Sequence, residues 1–175
     1  MHGKSRKNVA VAIRISGLSN NVHEFQFTAE PSELSLTDQF RENISISTIV
    51  DKSPHQIYLK ADIKTVGHFQ CDRCLEEFRE PVDVGCKICY VYNEKDGGAF
   101  PPDELQIISP DTVSLDLTED IRQLITLSIP LKLLCAEDCK GLCPRCGANW
   151  NRESCACDNE EVDQRWQGLQ GLLHK

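Results

Sequence analysis

The sequence predicts an α+β protein: a β-rich body, an antiparallel meander or barrel-like sheet, with one main helix and a C-terminal zinc-knuckle module. Three observations carry this. Short β-branched runs fill the first half, a single stretch has helical periodicity, and five cysteines crowd into "CKGLCPRCGANWNRESCAC" between Cys139 and Cys157. The division expected is a body over 1–130, holding "CDRC" and the helix, and a cysteine-rich zinc module with an amphipathic tail over 131–175.

The elements follow in order. "VAVAIRIS" (Val9 to Ser16) and "HEFQFTA" (His23 to Ala29) are β-rich with partial alternation. "PSELSLTDQF" reads as a short helix with Pro31 near its start. "NISISTIV" (Asn43 to Val50) and "QIYLKADIKTV" (Gln56 to Val66) have the β-branched content of a meander, and "VDVGCKICYVY" (Val82 to Tyr92) is another strand. "NEKDGGAFPPDE" is a surface loop, punctuated by Gly and Pro. "SLDLTEDIRQLITLSIP" is the main helix, expected over 117–128. Asp116 is placed to cap it, Glu119 completes a capping box, and Leu117, Ile121, Leu124 and Ile125 share one face. Pro130 marks its exit, and "EEVDQRWQGLQGLLHK" closes the chain as an amphipathic tail.

Composition narrows the function. At 175 residues, 40% hydrophobic and 26% charged, the chain can bury a core without staples. No apolar run approaches the roughly 20 residues of a membrane span. The basic N-terminus lacks the apolar stretch and cleavage site of a secretory signal, so the expectation is a soluble cytoplasmic protein with no membrane partner. In that compartment thiols stay reduced, which argues against disulfides. The net charge of −8 excludes a broad, non-specific nucleic-acid coat. RNA contact would need a local basic patch. No nucleophile elbow, P-loop, dinucleotide fingerprint or zincin motif occurs, and His2, His23, His55, His68 and His174 are scattered. The reading is therefore not an enzyme, with no catalytic residues and no small-molecule substrate.

The ten cysteines carry the chemistry. In "CPRCG" two thiolates three residues apart can face one ion across a tight turn, with Gly147 supplying the backbone conformation. With the following "CAC", Cys143, Cys146, Cys155 and Cys157 make four soft ligands, a closed and hence structural zinc site. A second set pairs Cys71 and Cys74 of "CDRC" with Cys135 and Cys139 of "CAEDC". The competing partition joins "CDRC" to Cys86 and Cys89 of "CKIC". It ranks second because "CKIC" reads as a strand, where residues three apart face opposite ways. Cys86 and Cys89 then serve as small buried hydrophobes. A redox role for Cys71 and Cys74 would want a βαβ setting that the flanks lack. The cofactor expected is Zn2+, one or two ions. His68 is near enough to "CDRC" to replace a cysteine, but reads better as a strand residue.

These motifs resemble the YceD family, bacterial and plastid proteins associated with accumulation of large-subunit ribosomal RNA. The resemblance covers roughly the C-terminal 60% of the chain. The family's CxRCL motif falls on Cys71, Arg73, Cys74 and Leu75. Its long cysteine motif falls on Cys135, Cys139, Gly141, Leu142, Cys143, Cys146, Gly147 and Asn151, with Trp150 where Leu is usual. Its closing DPRW falls on Asp163, Arg165 and Trp166, with Gln164 in place of Pro. The resemblance implies a non-catalytic role in large-subunit biogenesis, keeping 23S-type rRNA processed or stable, with rRNA or a pre-ribosomal particle as partner. The residues offered for RNA contact are Arg73, Lys140, Arg145, Trp150, Arg152 and Arg165, basic or stacking groups beside the cysteines. For Trp150 packing and stacking are equally good readings; for Trp166, with Leu169, Leu172 and Leu173, packing is the better one. The alternative is an acidic adaptor that binds a basic ribosomal protein through runs such as "DNEEVDQ".

Overall fold

The computed structural model describes residues 11–97, 101 and 104–157. The chain divides into two compact units. One takes the chain as far as Phe69, together with Phe78–Lys132; the other takes Gln70–Glu77 and the chain from Leu133 onward.

The first unit is built on strands. β1 (Ala12–Arg14) pairs antiparallel with β7 (Ser114–Asp116) in a two-stranded sheet. A five-stranded sheet runs in the order β2-β3-β4-β5-β6. Its members are β2 (Val22–Ala29), β3 (Ile44–Lys52), β4 (Gln56–Gln70), β5 (Glu77–Val91) and β6 (Leu105–Ile107). β2 and β4 both lie antiparallel to β3, and β6 runs parallel to β5. The β-rich body with open sheets and one helix is the class the sequence predicts.

Alternation sets the register. Ile44, Ile46, Thr48 and Val50 of β3 are buried, as are Ile57, Leu59, Ala61 and Ile63 of β4, and the intervening residues face outward. A one-residue slip would expose the whole apolar set, so the pattern pins the pairing. The helix α1 (Thr118–Leu127) buries Ile121 and Ile125. Its Asp120 is close enough to Tyr90 and Cys86 of β5 to raise the pKa of both, after the larger effect of their own burial.

The sequence reading departs from the structure in three places. "PSELSLTDQF" is a series of tight turns. Glu33 N donates to Glu30 O and Ser35 N to Ser32 O, and Ser35 adopts a φ of 52°, which ends any right-handed turn. Leu34, 1% exposed, anchors the segment. Second, the capping box at α1 does not form. Glu119 turns away to Arg122 and Gln123. The residue at the N-cap is Leu117, while Asp116 Oδ1 accepts from Thr118 N at 3.0 Å. Third, β6 and β7 are unforeseen, because three residues are too few to show a period. The loop after β5 begins with a 3-10 turn, Glu94–Gly97.

Candidate metal centres

The second unit is assembled from two distant pieces of chain. Residues Gln70–Glu77 form the connection from β4 to β5. Cys71 N donates to Glu76 O and Leu75 N to Cys71 O, and Leu75 takes a φ of 58°, so the connection is a compact knuckle. Described residues from Leu133 to Cys157 pack against it. Asp72 N donates to Leu133 O, and Leu133 N returns a bond to Asp72 Oδ2 at 2.7 Å.

This assembly brings together Cys71, Cys74, Cys135 and Cys139, with all four sulfurs within 4.8 Å of one another. Cys71 Sγ lies 3.8 Å from Cys139 Sγ, and Cys74 Sγ lies 3.6 Å from Cys135 Sγ. A disulfide would need about 2.05 Å. Four thiolates placed about 2.3 Å from one zinc ion, at the corners of a tetrahedron, stand about 3.8 Å apart. The spacing therefore fits an ion among four sulfurs. Cys143, Cys146, Cys155 and Cys157 form a second group under the same 4.8 Å limit.

Electrostatics point the same way. Burial pushes the Cys71 thiol up, but hydrogen bonds from the backbone of Cys135, Cys74 and Arg73 outweigh it and bring it down to about 6. Cys143 is drawn down to about 6, chiefly by the backbone of Cys146. Cys135 and Cys157 are each driven up to about 12, first by the neighbouring sulfur of Cys74 or Cys146 respectively. Each group thus has a sulfur ready to be a thiolate and another that resists further negative charge. A divalent cation between them relieves that repulsion and allows all four to ionise.

The backbone is shaped for these sites. Gly147 N donates to Cys143 O, closing the "CPRCG" turn, and Gly147 has a φ of 76°. Gly141, φ 79°, lies against the first knuckle: a Cβ there would stand 3.1 Å from Arg73 O. Side chains reach the sulfurs too. Trp150 Nε1 donates to Cys155 Sγ at 3.4 Å, and Asn151 Nδ2 donates to Cys139 Sγ at 3.3 Å. Such bonds to ligand sulfurs orient them and tune their affinity.

Burial in this unit is concentrated on sulfur. Among its described residues, the buried hydrophobic side chains are Cys71, Cys74, Cys139 and Cys143. The rest of the buried core (Ile13, Leu59 and Ile121 are typical) belongs to the first unit.

The other sequence-singled residues fall as follows. Arg73 Nη1 donates to Cys139 O at 2.7 Å and Glu137 O at 3.4 Å, so its guanidinium bridges the two cysteine pairs of the first group. Arg152 pairs with Glu76 at 3.0 Å. Lys140 and Arg145 are exposed, and Trp150 is half-buried. A groove of about 510 Å3 beside the first group is lined by Cys74, Cys135, Lys140, Asn149 and Arg152, among others. Cys86 and Cys89 lie on β5, half-buried and buried, outside both groups; burial raises both thiols. His68 belongs to β4, 3.5 Å from the Glu42 carboxylate, and joins neither group. Asp163, Gln164, Arg165, Trp166, the tail leucines, His2 and His174 lie outside the described residues. Sequence reasoning missed the sulfur-directed donor role of Asn151 and Trp150, and the bonds of the exposed Arg73 guanidinium to the carbonyls of Glu137 and Cys139. Their position within the cysteine motifs was the available signal. Among the described residues no helix is long and apolar enough to cross a membrane.

Comparison with known proteins adds a family. Residues 59–173 match the family model described as "Large ribosomal RNA subunit accumulation protein YceD". The chain is 38% identical over 63 residues to the Arabidopsis thaliana "Large ribosomal RNA subunit accumulation protein YCED homolog 1, chloroplastic", covering 36% of this chain and 20% of that one. It is 32% identical over 110 residues to an uncharacterized protein of Mycobacterium tuberculosis, covering 62% and 51%. Against uncharacterized protein YlbN of Bacillus subtilis it is 27% identical over 154 residues, covering 86% and 87%. The chain thus spans a fifth of the plant relative and about half of the mycobacterial one. No solved structure matches.

Proposed function

The chain belongs to the YceD family, and from that premise we propose that it supports the accumulation of large-subunit (23S-type) ribosomal RNA without catalysing a reaction. The observation that carries the reading is a family match that spans both cysteine groups and the unit built around them. Each group fills a tetrahedral ion from protein alone. That leaves no open coordination position for water, so the ion's contribution is structural. Zn2+ is the ion proposed, since four thiolates at this spacing suit its tetrahedral coordination, and the stoichiometry proposed is two per chain.

The RNA-facing groups proposed are Lys140 and Arg145, with Arg152, whose exposed ion pair with Glu76 a phosphate can replace at little cost. Trp150 presents a half-buried ring for stacking. Arg73 is also exposed and stays in the set, although its guanidinium is already bonded to the carbonyls of Glu137 and Cys139. Arg165 completes the proposed set from the tail.

The test is a mobility-shift titration of zinc-loaded protein with large-subunit rRNA fragments across a salt series. Lys140→Ala with Arg145→Ala is expected to weaken binding and lower the salt slope by about one for each phosphate no longer neutralised, with zinc content unchanged. Cells lacking the protein should show a lower ratio of large- to small-subunit rRNA. Failure to bind any rRNA fragment, with retention of a basic ribosomal protein instead, would replace this reading with the acidic-adaptor one.

A further inference from the structure

We propose that the two cysteine groups load their ions cooperatively, and that Asn151 is the positioning residue that couples them. The proposal rests on the reading that both groups hold an ion.

Asn151 lies in sequence between Cys146 and Cys155, inside the local group. Its side-chain amide nevertheless donates to Cys139 Sγ, a ligand of the other group, at 3.3 Å. Its Oδ1 accepts from Lys140 N at 2.8 Å, so one amide holds both the sulfur and the backbone beside it. The amide is itself aimed by Asn149, whose Oδ1 accepts from Asn151 N at 3.0 Å and from Asn151 Nδ2 at 2.8 Å. Asn149 in turn is bridged to Leu142, next to Cys143, and Cys143 N donates to Ala148 O. Folding the local group therefore sets the donor that the distant group uses. A second tie runs the same way: Leu142 N donates to Arg73 O at 3.2 Å, from the local group into the "CDRC" knuckle.

Chain topology gives the order. Cys143 and Cys157 are close in sequence, whereas Cys71 and Cys139 are far apart. The local group draws its four sulfurs from one short stretch, whereas the distant group must join two separate segments. The local group fills first, and in filling it fixes Asn151 and Leu142. The distant group then closes on a partner already ordered. Coupling of this kind is reciprocal: the second ion must tighten the first by the same factor.

The experiment uses reduced, metal-free full-length chain titrated with Zn2+ against a competing chelator, with ions per chain counted by native mass spectrometry. Cys143→Ser/Cys146→Ser and Cys71→Ser/Cys74→Ser give each site's constant with the other disabled. The product of the two wild-type constants is expected to exceed the product of those single-site constants by about tenfold or more, within the range bonds to metal ligands supply. Asn151→Ala keeps all eight cysteines and is expected to bind two ions while losing most of that excess. Equal products, or an excess that survives in Asn151→Ala, would overturn the coupling and leave the metal reading standing. A wild-type chain that takes up no ion would overturn both.

Discussion

Replacing Gly141 by alanine tests how the two knuckles meet, and Gly147 supplies its control. Both residues adopt nearly the same left-handed backbone, φ 79° and 76°. Alanine at either position costs about 1 kcal/mol for that conformation, and the entropy it removes from the unfolded chain is the same for both. Nothing lies within 4 Å of a Cβ at Gly147, so the conformational term is the whole effect there. At Gly141 the new methyl stands 3.1 Å from Arg73 O and 3.4 Å from Arg73 Cβ, and a backbone atom cannot swing aside as a side-chain end can. Relief requires the knuckles to part, which stretches Leu142 N to Arg73 O, now 3.2 Å, and strains Arg73 Nη1 to Cys139 O, now 2.7 Å. Loosening one or two such bonds adds about 1–2 kcal/mol. Metal binding and folding of this unit are linked, so the difference should appear as roughly 5- to 30-fold weaker zinc retention in Gly141→Ala than in Gly147→Ala, measured by chelator competition. Equal losses in the two variants, or a larger loss in Gly147→Ala, would refute the idea that the knuckles rest on each other at Gly141.

Cys143→Ser with Cys146→Ser should unfold the C-terminal module while the strands of the body keep their far-ultraviolet circular dichroism; loss of the whole β signal would show that the body depends on the ion. Ile121→Ala, at a side chain 1% exposed, should cost about 3 kcal/mol of body stability in denaturant unfolding, with zinc content unchanged. Stripping zinc under reducing conditions should shift the emission of Trp150, whose indole N–H points at Cys155 Sγ, when followed in a Trp166→Phe background; an unmoved spectrum would place Trp150 away from the ligand shell.

Much of this was legible in the sequence because two short-range rules govern it. Partial alternation marked β2, whose residues alternate between exposed and half-buried, and β-branched content marked β3 and β4, each of which buries one face. The grouping of the cysteines followed from spacing together with the strand character around Cys86 and Cys89, which turns those two thiols to opposite faces. The failures have physical causes as well. "PSELSLTDQF" has helical composition, but turns anchored by Leu34 satisfy its backbone instead. Glu119 pairs with the guanidinium of Arg122 one turn on, in place of the amide a capping box would use. The roles of Arg73 and Asn151 depend on which backbone carbonyl or sulfur lies opposite across the unit. That is long-range information: Arg73, an exposed cation, also braces the carbonyls of Glu137 and Cys139 across the unit.

The contrast between the units gives a reason for one chain to gather eight cysteines into two groups. The first unit buries branched aliphatic residues along β3, β4 and α1, the ordinary source of folding free energy. Among the described residues of the second, the buried hydrophobic side chains are the cysteines themselves. Burial of a few thiols cannot offset the cost of ordering this much loop, at about 1–2 kcal/mol of backbone entropy per residue. Binding of an ion by four thiolates would add to the folding free energy directly, as in small zinc modules that are unfolded without their metal. Function inherits that dependence. If the RNA-facing groups sit on the second unit, the rRNA role should fail whenever the ions are removed, even though the body remains folded. An rRNA-supporting activity that survives in a metal-free variant with an intact body would move the functional surface onto the sheets.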